Sequence, residues 1–283
     1  LSLARTLEEM RCRIDARLEE VLRSEDPREA RAVDAMRYSV LSGGKRIRPV
    51  LCLAAYEAVG GSGDGALSTA AALELIHAYS LVHDDLPCMD DDDVRRGRPT
   101  THRAYGEGMA VLVGDALLTL AFDLLAEAPP GDQVEPGRRL EVLKTVARAA
   151  GLHGMIGGQV ADLEAAKDPG DASLIEYVHA HKTGALIAVA VWAGGRLATD
   201  DPTVLGTLCR YGRAVGFAFQ VVDDLLDSGE DPEGASYVAC HGPDAARNRA
   251  ESLIGEAEDH LTPLGPRGDL LREIARYIFS RIR

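Results

Sequence analysis

Asp84, Asp85, Asp90, Asp91, Asp92 and Asp93 fall within ten residues, and the cationic run Val94-Arg95-Arg96-Gly97-Arg98-Pro99 follows at once. Far downstream, Val222-Asp223-Asp224-Leu225-Leu226-Asp227 sits inside an otherwise apolar stretch. Carboxylates this crowded repel one another unless cations neutralise them, and hard divalent ions with oxygen ligands are the usual neutraliser. Arginines beside such a cluster point to diphosphate, because the guanidinium fork matches phosphate oxygens.

Elements must hold these groups. On a helix His77 lies two turns below Asp84 on nearly the same face. Pro87 disfavours the helical region at Leu86, so the helix should loosen after Asp84-Asp85 and let the chain present Asp90 beside them. Gln220, Asp223, Asp224 and Asp227 form one stripe at i, i+3, i+4 and i+7, flanked by Phe217, Phe219, Val221, Val222, Leu225 and Leu226. The blander readings are a solvated acidic loop, a weak calcium site, or a helix with its acidic stripe facing water. An EF-hand is excluded, since it would need alternate oxygen ligands and a central glycine. Two carboxylate sets facing each other across a bundle would hold several Mg²⁺ ions that also bind ligand phosphates, so metal would arrive with substrate. Ser42-Gly43-Gly44-Lys45-Arg46-Ile47-Arg48-Pro49 places glycines before a helix start and bunches three cations, which suits a second diphosphate but is no P-loop.

The chain has 283 residues, 46% of them hydrophobic, enough for a substantial core. Its formal charge of -14 argues against nucleic acid or an acidic membrane surface as a partner. The longest uncharged apolar run, Ala185 to Ala193, is too short to span a bilayer, so no stable membrane insertion is expected. The N-terminus lacks both a secretory core and an initiator Met, which reads as a trimmed cytoplasmic protein. Cys12, Cys52, Cys88, Cys209 and Cys240 stand singly, so disulfides and structural zinc are not expected; Cys88 has no base beside it.

Leu3, Leu7, Met10, Ile14, Leu18 and Val21 mark an amphipathic first helix. Further helices are expected at 28 to 41, 46 to 59, 65 to 86, 105 to 127, 138 to 166, 173 to 193, 202 to 227, 244 to 262 and 268 to 281, with no alternating strand pattern between them. The breaks, at 60–63, 129–131, 168–170, 200–202 and 263–268, are short punctuation, so the expectation is one all-α domain over 1–283. Helices 105 to 127 and 173 to 193 are apolar around most of their circumference, which places them inside a bundle that encloses a cavity or at a homodimer interface.

Read in order, GGKRIRP, ELIHAYSLVHDDLPCMDDDDVRRGRPTTH, GGQVADLEA, HKTGALI and FQVVDDLLD make the chain resemble the trans-isoprenyl diphosphate synthases, most closely bacterial farnesyl diphosphate synthases, from about Arg37 to Asp227. The resemblance implies a helical bundle around a central substrate cavity. It also implies a reaction in which Mg²⁺ helps ionise an allylic diphosphate, dimethylallyl or geranyl, isopentenyl diphosphate attacks the carbocation, and a proton is lost. By that likeness Asp84, Asp85 and Asp90 bind Mg²⁺ from one side and Asp223, with Asp224 and Asp227, from the other. Arg95 and Lys182 would hold the allylic diphosphate, and Lys45, Arg48, His77 and Arg96 the isopentenyl diphosphate. Thr183 and Gln220 would turn oxygen dipoles toward the cation, and the released diphosphate would take the proton. Tyr79, five positions before the first motif, would floor the product tunnel with small Ser80 beside it. That favours the fifteen-carbon product, with geranylgeranyl diphosphate next.

Duller roles are open for several residues. Arg46 and Arg98 would merely balance charge, His77 would be a core histidine, and Gly154 and Gly158 would be close-packing positions, with Gln159 and Asp162 lining the cavity. The resemblance weakens after Asp227. Ser228-Gly229-Glu230-Asp231-Pro232-Glu233-Gly234 runs almost directly into Ala235-Ser236-Tyr237-Val238 and lacks the family's lysine. Either this is a deletion, which would mark a catalytically silent regulatory subunit, or residues are missing from the sequence as given. A terpene cyclase is the other rival, and it would have no use for the Lys45, Arg48 and Arg96 set.

Overall fold

The computed structural model describes residues 2–127, 134–165, 171–227 and 236–282. The shortened segment Ser228 to Gly234 lies outside them, as do the breaks at 129–131 and 168–170. The protein is all-α. Its helices are α1 (Leu3–Val21), α2 (Ala30–Val40), α3 (Ile47–Ala58), α4 (Leu67–Asp84), α5 (Thr101–Tyr105), α6 (Glu107–Ala126) and α7 (Pro136–Ala150). There follow α8 (Met155–Ala165), α9 (Ala172–Val178), α10 (Ala185–Ala198), α11 (Pro202–Asp227), α12 (Tyr237–His241), α13 (Pro243–His260) and α14 (Asp269–Ser280). A π-helical turn, His179–Gly184, joins α9 to α10.

Contacts cluster into two compact units, residues 1–50 with 64–132, and residues 51–63 with 133–283. In the first, α4 is buried around its whole circumference from Ser68 to Ile76 and packs on α6 and α1. Met10, Ile14 and Leu18 give α1 the buried stripe that its sequence requires. In the second unit α11 is central, packed on α10, α13 and α14, with Tyr211 fully buried and its hydroxyl donating to the Leu271 carbonyl at 2.7 Å.

Three departures from the sequence pattern have local causes. The helix expected at 138 to 166 is two helices, α7 and α8. The chain breaks after Ala150, Gly151 leaves helical geometry at φ -84° and ψ -156°, and at Gly154 a Cβ would meet the Ala149 carbonyl oxygen. The helix expected at 173 to 193 is interrupted by the π-helical turn and continues to Ala198. A two-residue hairpin, β1 (Val94–Arg95) and β2 (Arg98–Pro99), lies where no strand was expected, too short to show alternation. Its turn residues Arg96 and Gly97 both have positive φ, 53° and 73°, as a tight primed turn demands.

Among the described residues α6 is the one helix whose length and composition suffice to cross a bilayer, with a mean hydropathy of 1.9 over its best window. The apolar-run argument passed over it because Asp115 and Asp123 interrupt the run. Buried core helices meet the same criterion, and α6 packs extensively on α4.

Candidate active site

In the first unit the expected sites share one neighbourhood. Helix α4 ends at Asp84, and the chain folds back so tightly that the Asp90 amide donates to the Asp84 carbonyl at 2.8 Å and the Asp91 amide to Leu86 at 3.2 Å. The fold-back includes Pro87, whose ring disfavours helical backbone at Leu86, and it brings Asp90 to Asp84. Asp85 turns the other way. Its carboxylate is 3% exposed and accepts from Arg95 Nε at 2.6 Å, while Arg95 also reaches Asp92 at 3.2 Å. Desolvation pushes the Asp85 pKa above the ordinary carboxylate value, and the Arg95 charge offsets only part of that.

Arg96 extends from the hairpin turn to the Gly43 carbonyl, and a Cβ on Gly44 would strike its guanidinium. Gly44 of GGKRIRP therefore makes room for Arg96, while Gly43 supplies the accepting carbonyl. Lys45 is exposed and Arg48 is buried in the first turn of α3. His77 is partly buried beside this set. Desolvation, then the charges of Arg48, Arg96, Arg95 and Arg46, push its pKa well below the ordinary imidazole value, so the ring is neutral. Arg46 belongs to the framework. It is 4% exposed and held at φ 51°, and it donates to buried Glu74 at 2.6 Å, to Asp15 at 2.9 Å and to the Val40 carbonyl at 2.8 Å. A small cavity of about 40 Å³ opens among His77, Asp85, Arg95 and Arg96. Arg98 stacks its guanidinium on Tyr38, 4.1 Å from the ring centroid.

Tyr79 is 6% exposed on α4, edge-on to His83. Its hydroxyl has no hydrogen-bond partner among the described residues, and burial, then the Asp84 charge, pushes its pKa up to about 12. Ser80, beside it, donates to the His77 carbonyl at 2.9 Å.

In the second unit two glycine contacts set the geometry. A Cβ on Gly158 of α8 would lie 2.1 Å from the Lys182 backbone nitrogen, so α8 meets the π-helical turn backbone to backbone, and one turn on Asp162 accepts from Lys182 Nζ at 2.6 Å. Likewise a Cβ on Gly216 would lie 2.9 Å from the Gly184 Cα, and that close crossing lets the Thr183 hydroxyl donate to Gln220 Oε1 at 2.7 Å. The Gln220 amide then donates to Asp224 at 3.0 Å. Asp224 is 9% exposed and also accepts from the Tyr237 amide at 2.7 Å, with His179 Nε2 at 3.2 Å. Burial alone would raise the Asp224 pKa, but the donors His179, Gln220 and Tyr237 outweigh it and hold the group below its ordinary value. Asp223 faces elsewhere on α11, with Arg281 Nη1 at 2.8 Å as a charge contact rather than a directed hydrogen bond. Asp227 is the last residue of α11.

Within each unit, then, the expected residues are neighbours, with one doublet in each. Sequence reasoning missed Glu74, His179, Tyr237 and Arg281. Glu74 and His179 each lie three residues before an expected site residue, a spacing that shares a helical face. Tyr237 and Arg281 have no such signal.

Known proteins resemble the chain in sequence and in fold. Residues 29–254 match the polyprenyl synthetase family. The chain is 41% identical to a dimethylallyltranstransferase of Fischerella ambigua, over 97% of this chain and 82% of that one. The chain belongs to the polyprenyl synthetase family.

Its relatives in that family include the Arabidopsis thaliana heterodimeric geranylgeranyl pyrophosphate synthase large subunit 1, 43% identical over 81% of this chain, which spans about two thirds (66%) of that protein. The crystal structure of an FPP/GFPP synthase from Zymomonas mobilis superposes with a TM-score of 0.92 at 40% identity, covering 98% of both chains. A geranyltransferase of Legionella pneumophila superposes at 0.90 and 30% identity, covering 99% of this chain and 97% of that one. These likenesses make the chain a prenyltransferase of the trans-isoprenyl diphosphate synthase family, with the all-α fold of that family. Synthases of both farnesyl and geranylgeranyl type are among the relatives.

Proposed function

We propose that this chain condenses isopentenyl diphosphate with dimethylallyl or geranyl diphosphate and releases farnesyl diphosphate, acting as one catalytic domain in a cytoplasmic homodimer. The observation that carries the proposal is the cationic pocket of the first unit. A family member that only ionised one diphosphate would have no need to hold Arg96 against Gly43-Gly44 with Arg48 and a neutral His77 alongside. Neutral His77 keeps an N–H to donate to a diphosphate oxygen and leaves the charge balance to the arginines.

The donor chemistry suits Mg²⁺. Asp84 and Asp90 share one turn, Asp223 and Asp227 one helical stripe, and all offer hard oxygens. No three His, Cys, Asp or Glu side chains among the described residues converge on one metal position. That fits an ion which retains waters and takes ligand phosphate oxygens instead of a protein cage. Bound beside the allylic diphosphate, magnesium would supply positive charge as the diphosphate leaves. Arg95 in the first unit and Lys182 in the second each offer fixed positive charge to a diphosphate. Thr183, its proton directed to Gln220, presents oxygen lone pairs to a developing carbocation. The allylic C–O bond breaks, the isopentenyl double bond forms the new C–C bond, and the proton it sheds goes to the released diphosphate.

Tyr79, bulky and buried on α4, supports a fifteen-carbon product. The plastid relatives named as geranylgeranyl pyrophosphate synthases favour a twenty-carbon one. The exposed apolar side chains Val111 and Leu112 on α6 and Ile156 and Val160 on α8 support self-association. Incubation with Mg²⁺, isopentenyl diphosphate and dimethylallyl diphosphate, followed by chromatography of the dephosphorylated products, is the test. Farnesol is expected, geranylgeraniol would move the product length, a cyclised hydrocarbon would sink the condensation, and no product would place the chain among silent subunits.

A further inference from the structure

A cavity of about 770 Å³ lies wholly within the second unit, walled by α7, the π-helical turn, α10, α11 and α13. None of the residues expected to bind diphosphate or metal lines it. Four arginines rise around it: Arg148 from α7, Arg210 and Arg213 from α11, and Arg249 from α13. In a chain with 45 acidic residues against 31 basic ones, the cavity wall carries one acid, Glu256, whose carboxylate already accepts from Arg249 at 3.0 Å and from Ser252 at 3.1 Å.

Elsewhere Arg17, Arg46, Arg138, Arg196 and Arg276 are engaged in ion pairs, while Arg37, Arg96 and Arg247 donate to backbone carbonyls. Among the described residues Arg148 and Arg213 make no ion pair or hydrogen bond, and Arg210 reaches only the Thr207 hydroxyl at 3.5 Å. Arg148, Arg210 and Arg213 are exposed and share the cavity with Glu256 as its one carboxylate, so an anion that enters meets a net positive wall. The floor is the opposite in character. Ala185, Ala188, Val189 and Trp192 of α10, with Phe217 and Leu253, give it an apolar surface. Small residues on α10 leave the hollow, and the long arginines of the flanking helices form its rim.

We propose that this cavity binds a small amphiphilic anion, with a phosphate or diphosphate head on Arg210, Arg213 and Arg148 and an apolar body lying against Trp192. Volume and composition are those of a small-molecule site: concave, mainly apolar, with a few convergent polar groups. A purely inorganic anion would leave the floor wet, and a neutral lipid would leave the arginines unpaired. The site is independent of which diphosphates the chain condenses, because it shares no residue with that reaction.

Trp192 is the sole tryptophan of the chain, so its emission reports this cavity. The test titrates the full-length protein, without Mg²⁺, with dodecyl phosphate below its aggregation limit, and in parallel with inorganic phosphate and with dodecanol. Saturable change is expected with dodecyl phosphate, at least roughly tenfold tighter than with either half-ligand. The same titration with free farnesyl diphosphate and with vesicles containing phosphatidic acid assigns the head group to a soluble ligand or to a lipid. The double variant R210E/R213E should weaken the response at least roughly tenfold while leaving the circular dichroism spectrum and turnover unchanged. Lys45→Ala should leave the response intact. Three results overturn the proposal: emission unchanged by dodecyl phosphate, a response that R210E/R213E retains, or one that Lys45→Ala abolishes.

Discussion

The two aspartate doublets solve the same problem with different materials. In each, the second carboxylate turns inward: Asp85 onto Arg95, Asp224 onto His179, Gln220 and the Tyr237 amide. The first member lies near a later aspartate of its motif: the Asp84 carbonyl accepts from the Asp90 amide, and Asp223 shares a helical stripe with Asp227. The neutralisers differ. Arg95 comes from ten residues away on a surface hairpin, and Asp85 remains above its ordinary pKa because burial is not fully compensated. The donors to Asp224, buried His179 and Tyr237 and half-buried Gln220, come from three segments, and they carry it below its ordinary pKa. A repeated motif therefore hides two energetic designs, one held by a single partly exposed arginine and one by an internal network.

Substitutions that separate the members of each doublet test this most strongly. Asp84→Ala and Asp223→Ala should each lower kcat/KM on the order of 10²–10³-fold or more, with thermal melting little changed, as measured by steady-state assay and calorimetry. If either variant unfolds instead, the division of labour within the doublets is wrong. A smaller effect separates the two regions. Asp224→Asn should cost about 1–3 kcal/mol, since buried donors lose their acceptor, while Asp85→Asn should cost under about 1 kcal/mol because Arg95 can turn to water. Equal denaturation midpoints for the two would erase the contrast.

Tyr79→Ala acts inside the first region alone and should lengthen the product by one or more five-carbon units. An unchanged chromatogram removes Tyr79 as the ruler. Smallest is a pH effect. His77 is depressed in the folded state, so the unfolded chain takes up a proton near pH 6.5 that the folded chain refuses, and stability falls as pH drops below that value. His77→Asn should flatten the dependence of the denaturation midpoint between pH 6.5 and 5; an unaltered slope would mean that burial and the neighbouring arginines do not hold the ring neutral.

Much of the helical frame was legible in apolar periodicity: α11 begins and ends where 202 to 227 was expected, and α3, α4 and α13 lie within two residues of their expected bounds. Pro87 announced the fold-back that brings Asp90 to Asp84. What the pattern hid was of two kinds. Short elements such as the hairpin at 94–99 offer too few residues for a period to appear. Partners joined only by tertiary contact, such as Tyr237 on Asp224 or Arg281 on Asp223, leave no trace in spacing. Arg46 stands between the two: its sequence neighbours suggested an anion site, whereas a positive φ and a buried Glu74 make it a strut beneath that site.

The π-helical turn has a practical corollary. One extra residue is accommodated between α9 and α10 without unwinding either, so the loop closes over five positions where four would do. Deleting Ala180 should restore a continuous α-helix and yet rotate everything before the cut by about 100° relative to α10. The chain would be more regular and, with Asp224 deprived of His179, a poorer catalyst.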